Sequence, residues 1–258
     1  MLNSIKKINR SLLVIFSFVF FGLGALITGY IIFPIIKSLY KKNENLKLKY
    51  NIVIQKSWHF FVLLLQKLKI IAIKSDDIAK LKSIKNSIIV STHPSYIDIL
   101  ILISIIPHST CFVAERIIKN PFFKQIAKEL FIIQGQPADM WLDDAKKMLD
   151  NGFNIIIFPM GTRHKNNEYP KIRRGAAMLA QNTGKNIVIL DMRTNFEFLQ
   201  INEPVYKAGS RTVIYLISYL EEVDIKDWLN EYTDKVSFKT ELTKYITKTL
   251  YRDKINIL

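Results

Sequence analysis

The sequence predicts an α/β fold: a mostly parallel sheet flanked by helices, preceded by an N-terminal hydrophobic membrane-anchoring helical segment. Three observations predict it. Residues 11–36 carry no charged side chain, a stretch longer than the roughly 20 residues that cross a bilayer core. Further on, short runs rich in β-branched residues alternate with runs of helical periodicity, as in layered α/β domains. The strand candidates are apolar throughout, which fits strands covered on both faces of a parallel sheet.

The N-terminal segment is read as a retained anchor. Lys6, Lys7 and Arg10 give it the basic front of a signal peptide, but the apolar run is too long and no A-x-A cleavage site follows. Gly22, Gly24, Gly29 and Pro34 permit a bend, so a re-entrant or interfacial helix pair is also compatible. Lysines flank both sides (Lys37, Lys41, Lys42, Lys47 and Lys49 follow), so charge asymmetry does not set its orientation. Residues 53–73 are apolar but interrupted by Lys56, Gln66, Lys67 and Lys69, an amphipathic helix lying on a membrane or under the domain. Strands are expected at 87–92, 110–114, 131–134, 154–159, 187–192 and 212–218, and helices at 95–106, 121–130, 139–151, 175–183 and 237–251. Gly152 and Gly184 stand where helix C-caps belong. Residues 1–73 then form the anchor and amphipathic segment, and 74–258 an α/β domain.

The formal charge of +15 and pI of about 9.7 call for an anionic partner. The anchor favours phospholipid headgroups over nucleic acid, for which no zinc spacing, RNP-like aromatic motif or basic zipper is present. Each juxtamembrane lysine contributes about 1 kcal/mol near an anionic leaflet. Cys111 is the single cysteine, which excludes an intramolecular disulfide and fits a reducing compartment. His59, His108 and His164 show no metal-ligand spacing, and no metal is expected. His59, between Trp58 and Phe60, reads as a packing or interface residue and His164 as a loop residue.

The chemistry is concentrated where two predicted strands end. Ser91-Thr92-His93-Pro94-Ser95-Tyr96-Ile97-Asp98 sets an imidazole and a carboxylate at a strand-to-helix corner. Positions i and i+5 lie about 140° apart on an ideal helix, so the pair meets only if the segment breaks between them. Pro94 supplies that break by holding His93 extended. Ser95 is then the expected N-cap, with Asp98 in the first turn, able to fix the imidazole and stabilise its charged form. A capping pair of Ser95 and Asp98 would exist without catalysis. The second motif, Phe158-Pro159-Met160-Gly161-Thr162-Arg163, offers backbone amides at a glycine and a planar cation suited to phosphate. Lys171, Arg173 and Arg174 precede the helix start at Gly175, a further anion site or a solvated basic loop. Ligands sit beyond the carboxyl ends of parallel strands, so one cleft receives both motifs if the strands are neighbours.

These residues resemble the 1-acylglycerol-3-phosphate acyltransferase family of glycerolipid acyltransferases. The resemblance rests on His-x4-Asp after a strand, F-P-x-G-T-R some sixty residues on, the basic-Gly-Ala helix start, Asn120-Pro121-Phe122-Phe123 between the motifs, and the N-terminal apolar segment. It covers roughly residues 84–192. It implies an α/β membrane-bound O-acyltransferase of phospholipid biosynthesis, using acyl-coenzyme A or an acyl carrier protein thioester as co-substrate and no cofactor. The acceptor implied is a lysophospholipid, 1-acylglycerol-3-phosphate, at the cytoplasmic face of the inner membrane. His93 would be the base and Asp98 its partner, with Gly161, Thr162, Arg163 and Arg174 binding the acceptor. The chain departs from the family pattern at Met160, where Glu is usual, in residues 131–136, which lack an Asp-Arg pair, and in residues 187–191, which lack proline. These departures bear on the acceptor pocket, so acylation of a lyso-aminolipid or secondary metabolite, or non-catalytic lipid binding, are the alternatives.

Overall fold

The computed structural model describes residues 2–40, 46–135, 137–165, 169–199 and 211–255. Lys41, Lys42 and Gln136 lie outside them, as do the side chains of Lys6 and Lys7.

A seven-stranded sheet runs in the order β1-β7-β6-β2-β5-β3-β4. Its strands are β1 (Ile71–Lys74), β2 (Ile88–Ser91), β3 (Ser109–Val113), β4 (Ile132–Ile133), β5 (Asn154–Ile157), β6 (Ile187–Thr194) and β7 (Val213–Val223). Every pairing is parallel except β6 with β7. Strand alternation divides the apolar side chains between two cores. Ile89, Ile156, Val188, Leu190 and Tyr215 face one layer, and Ile88, Val90, Ile155, Ile187 and Ile189 the other. The first core is roofed by α1 (Leu2–Ile27), α3 (Leu46–Lys67), α5 (Asp98–Ile105) and α7 (Lys124–Leu130). The second is covered by α8 (Ala138–Asp150), α9 (Gly175–Thr183), α10 (Ile225–Glu231) and α11 (Lys235–Ile255). Short helices α4 (Ile78–Ser83) and α6 (Glu115–Lys119) complete the connections.

The N-terminal segment is one continuous helical run, Ile8–Leu39, long and apolar enough to cross a membrane. A π-helical turn, Thr28–Ile32, joins α1 to α2 (Phe33–Leu39). Pro34 cannot donate a backbone hydrogen bond and crowds the preceding turn, and widening the helix there accommodates it. The run packs on the domain through its small residues. A Cβ on Gly29 would stand 3.0 Å from Gln125 Cβ, and one on Gly22 3.3 Å from Phe122. Arg10 caps the contact by donating to the carbonyls of Lys69 and Ile70. The opposite face exposes Leu12, Phe16, Val19, Leu23, Ile27 and Ile31.

The expected amphipathic helix is α3, buried through Tyr50, Ile54, Trp58, Phe61, Val62 and Leu65, with His59 exposed. It stops earlier than the periodicity suggests. Lys69 adopts φ 54°, its N–H donates to Gln66 O, and Ile70 N–H donates to Leu65 O. This is a Schellman closure with lysine where glycine is usual, and it releases residues 71–74 to form β1, which the sequence reading placed in the helix. The expected helix at 95–106 begins only at Asp98, with Ile97 at the N-cap position.

Asn154 knits the edge of the central strands. Its side chain accepts from Ser87 N–H at 3.0 Å and donates to the carbonyls of Ile84 (3.1 Å) and Pro107 (2.8 Å). Truncation would strand these partners in a site only 1% exposed, so Asn154→Ala is expected to lower unfolding free energy by about 2 kcal/mol, read by denaturant titration in detergent.

Candidate active site

β2 and β5 are parallel neighbours, with Ile88, Ile89 and Val90 opposite Ile155, Ile156 and Ile157. Both motifs therefore emerge side by side at the same sheet edge. Thr92 fastens the end of β2 to β6: its hydroxyl bonds Asp191 Oδ1 (3.0 Å) and Met192 O (2.8 Å) and accepts from Met192 N–H (2.6 Å).

The next residue is His93. Its Nδ1 lies 2.9 Å from Asp98 Oδ2, and the same oxygen accepts from Ser95 N–H at 2.7 Å. The capping geometry is thus the reverse of the expected Ser95 cap. The carboxylate bonds the serine backbone, and the corner tightens enough to bring positions 93 and 98 together. Burial pushes the Asp98 carboxyl up, while the bond and charge of His93, the Ser95 N–H and the charge of His164 pull it down. A fully buried carboxylate held this way stabilises positive charge on its ring partner. Phe158, at the tip of β5, stacks on the imidazole at 4.0 Å between centroids and 11° between planes. With one face covered and Nδ1 engaged, Nε2 is the ring nitrogen left to the cavity.

That cavity has a volume of about 840 Å³ and is lined by His93, Gly161, Thr162 and Arg163 together with Phe112, Glu115, Arg116, Gln134, Trp141 and Arg173. Gly161 turns the chain at φ 76°, and a Cβ there would fall 2.7 Å from Arg173 Cζ, so the position excludes side chains on both conformation and space. Arg163 is aimed by Leu199 O, which accepts from its Nη1 at 2.6 Å, and by the Tyr96 ring at 5.2 Å. Burial lowers the Arg163 pKa, and the neighbouring Arg116 lowers it further, against the opposing influence of Tyr96 and Asp98. Arg116 and Arg163 share a cavity wall whose one acid among the described residues, Glu115, is already paired with Lys119 at 3.0 Å. Like charges arranged so attract an anion.

His93, Asp98, Gly161, Thr162 and Arg163 thus come together. Arg174 does not join them: it is the exposed N-cap residue of α9, one position around the turn from Arg173, which lines the cavity instead. Met160 is buried in the second core, only 4% exposed, and does not line the cavity. His164, read as a loop residue, is 5% exposed and braces the site. Its backbone N–H donates to His93 O (3.1 Å) and its Nε2 accepts from His93 N–H (3.4 Å). Cys111 is buried, and burial pushes its thiol up, which removes it as a nucleophile. Among the described residues, no three His, Cys, Asp or Glu side chains gather to hold a metal ion.

Sequence reading missed Arg116, Gln134 and Trp141. Arg116 was findable, since it follows the C-terminal end of β3, where the rule that selected His93 and Gly161 also applies.

Comparisons with known proteins bear on the family and the fold. Residues 72–192 match the acyltransferase family. The 1-acyl-sn-glycerol-3-phosphate acyltransferase of Helicobacter pylori is 26% identical over 158 residues, 58% of this chain and 66% of the relative, just under two thirds of its length. The crystal structure of the 1-acyl-sn-glycerophosphate acyltransferase of Thermotoga maritima superposes with a TM-score of 0.72 at 19% identity, over 98% of this chain and 97% of the other, which establishes a shared fold. Residues 72–192, just under half of this chain, are thus similar to the acyltransferase family, and two proteins named as 1-acylglycerol-3-phosphate acyltransferases resemble the chain, one in sequence and one in fold.

Proposed function

We propose that this protein transfers an acyl group from a thioester to a hydroxyl of a phosphate-bearing lysolipid, 1-acylglycerol-3-phosphate, at a membrane surface in phospholipid biosynthesis. One observation carries the reading. A histidine held by a buried carboxylate, 2.9 Å away, opens into the cavity that Arg116, Arg163 and Arg173 also line. The base and the anion site therefore address one bound molecule.

In this reading His93 Nε2 takes the proton from the acceptor hydroxyl as its oxygen attacks the thioester carbonyl. Asp98 stabilises the imidazolium, and the tetrahedral intermediate collapses by expelling the thiolate, which takes the proton back from His93. General-base help of this kind is worth about 10² to 10⁴ in rate. Arg163, with Arg116 and Arg173, holds the acceptor phosphate, and the side-chain-free Gly161 turn, its N–H spent on Phe158 O, lets the chain pass close to it. The donor is acyl-coenzyme A or an acyl carrier protein thioester, and no cofactor takes part. The exposed apolar face of Ile8–Leu39 supports a seat in lipid, and in this reading the protein meets its acceptor at the cytoplasmic face of the inner membrane.

Met160 supports a second reading, in which the acceptor is not a glycerol phosphate. The side chain at the position where the family usually has Glu is apolar and turned into the core, so hydroxyl recognition falls to other groups, of which Gln134 and Glu115 line the cavity. Thiol release from palmitoyl-coenzyme A and palmitoyl-acyl carrier protein, measured with detergent-solubilised protein, separates the readings. Lysophosphatidate is expected to give the highest kcat/KM. Preference for an uncharged or amino-bearing lysolipid would establish the second reading, and no release with any acceptor would make the protein a lipid binder.

A further inference from the structure

Among the described residues, three buried polar atoms around the His93–Asp98 corner have no hydrogen-bond partner: Asp98 Oδ1, Ser95 Oγ and Tyr215 Oη, and the Tyr215 phenol is close enough to Ser95 and Asp98 to feel both. All three residues are 0% exposed. Asp98 spends Oδ2 on both His93 and Ser95 N–H, and among the described residues its second oxygen has no donor. A bare carboxylate oxygen in such a place costs free energy that a nearby hydroxyl would recover.

Tyr215 is placed to supply it. The residue sits on β7 opposite Thr194 of β6 and Ile73 of β1, and Val213, Tyr215 and Ile217 turn toward the same core as Ile97 and Ile101 at the start of α5. Its phenol is driven well above its ordinary range, first by burial and then by the charge of Asp98, while the Ser95 hydroxyl beside it acts the other way. A Tyr215 O–H donating to Ser95 Oγ and a Ser95 O–H donating to Asp98 Oδ1 would satisfy all three atoms. A core position that needed only bulk would be filled equally well by phenylalanine.

We propose that Tyr215 is a positioning residue for acyl transfer, acting through the Ser95 hydroxyl on the free oxygen of Asp98 and so fixing the carboxylate against His93. The proposal rests on the His93–Asp98 reading above. The chain of hydroxyls reaches neither substrate nor reacting atoms. Its effect falls on the step in which the imidazolium forms, and leaves acceptor binding alone.

The test is a double-mutant cycle in the thiol-release assay with palmitoyl-coenzyme A and lysophosphatidate, run beside thermal melting. Tyr215→Phe is expected to lower kcat about tenfold with KM unchanged and melting temperature equal or higher. Ser95→Ala should do the same, the pair together should lose no more than either alone, and Tyr215→Phe should have no further effect in an Asp98→Asn background. Full kcat in Tyr215→Phe, or an equal loss with Asp98→Asn present, would overturn the proposal. His93→Ala run in parallel distinguishes the two failures. If that variant is inactive while Tyr215→Phe is fully active, the relay alone is wrong, and if His93→Ala retains turnover, the dyad reading itself falls.

Discussion

Replacement of His93 by alanine is expected to reduce kcat by about 10² to 10⁴ while leaving lysophosphatidate binding within a few fold. The imidazole is the one group at the cavity that combines an engaged Nδ1, a carboxylate at 2.9 Å and a stacked ring at 4.0 Å. Each feature fixes its plane and its proton, and none holds the acceptor. The loss should therefore appear in kcat, with acceptor affinity measured by equilibrium binding to vesicles preserved. Fold should also survive, because Asp98 keeps its Ser95 bond and the removed ring leaves space at a cavity wall. An alanine variant that still released thiol at the wild-type rate would place the proton transfer elsewhere.

Arg163→Ala is expected to lower kcat/KM for lysophosphatidate by about 30- to 100-fold, mostly through KM, with little change for an acceptor lacking phosphate. The guanidinium is held over Tyr96 at 5.2 Å and by Leu199 O at 2.6 Å, so its position is set before the ligand arrives. Lysine should restore only part of the effect, since it replaces a planar fork by a point charge. Steady-state kinetics with phosphorylated and dephosphorylated lysolipids measure the difference. An equal loss for both acceptors would mean that Arg163 supports the loop and does not grip phosphate.

The central architecture was legible because it follows from local pattern. Continuous apolar runs such as residues 88–90 and 155–157 are what the middle of a parallel sheet requires, and they lie side by side. The two motifs could be placed at one edge by the rule that ligands gather beyond strand carboxyl ends. What escaped depended on tertiary context. The end of α3 is hidden because Lys69 adopts a left-handed conformation that its residue type does not announce. The antiparallel run of β7 to Val223 exceeds the expected end at residue 218, sustained by pairing with β6 along its length. Of the candidate site residues, those inside the motifs could be nominated by adjacency. Trp141 comes from α8, and no spacing links it to His93.

The N-terminal helix carries one more consequence. Val14, Ala25 and Phe33 are buried in the same apolar cluster as Leu100, Ile101 and Tyr215, and Phe33 stacks on Tyr50 at 4.0 Å. The greasy outer surface and the reaction chamber are therefore built on one continuous core. Under the proposed function, lipid that takes up this surface sits beside the mouth of the chamber, and a long-tailed acceptor reaches the arginines from there.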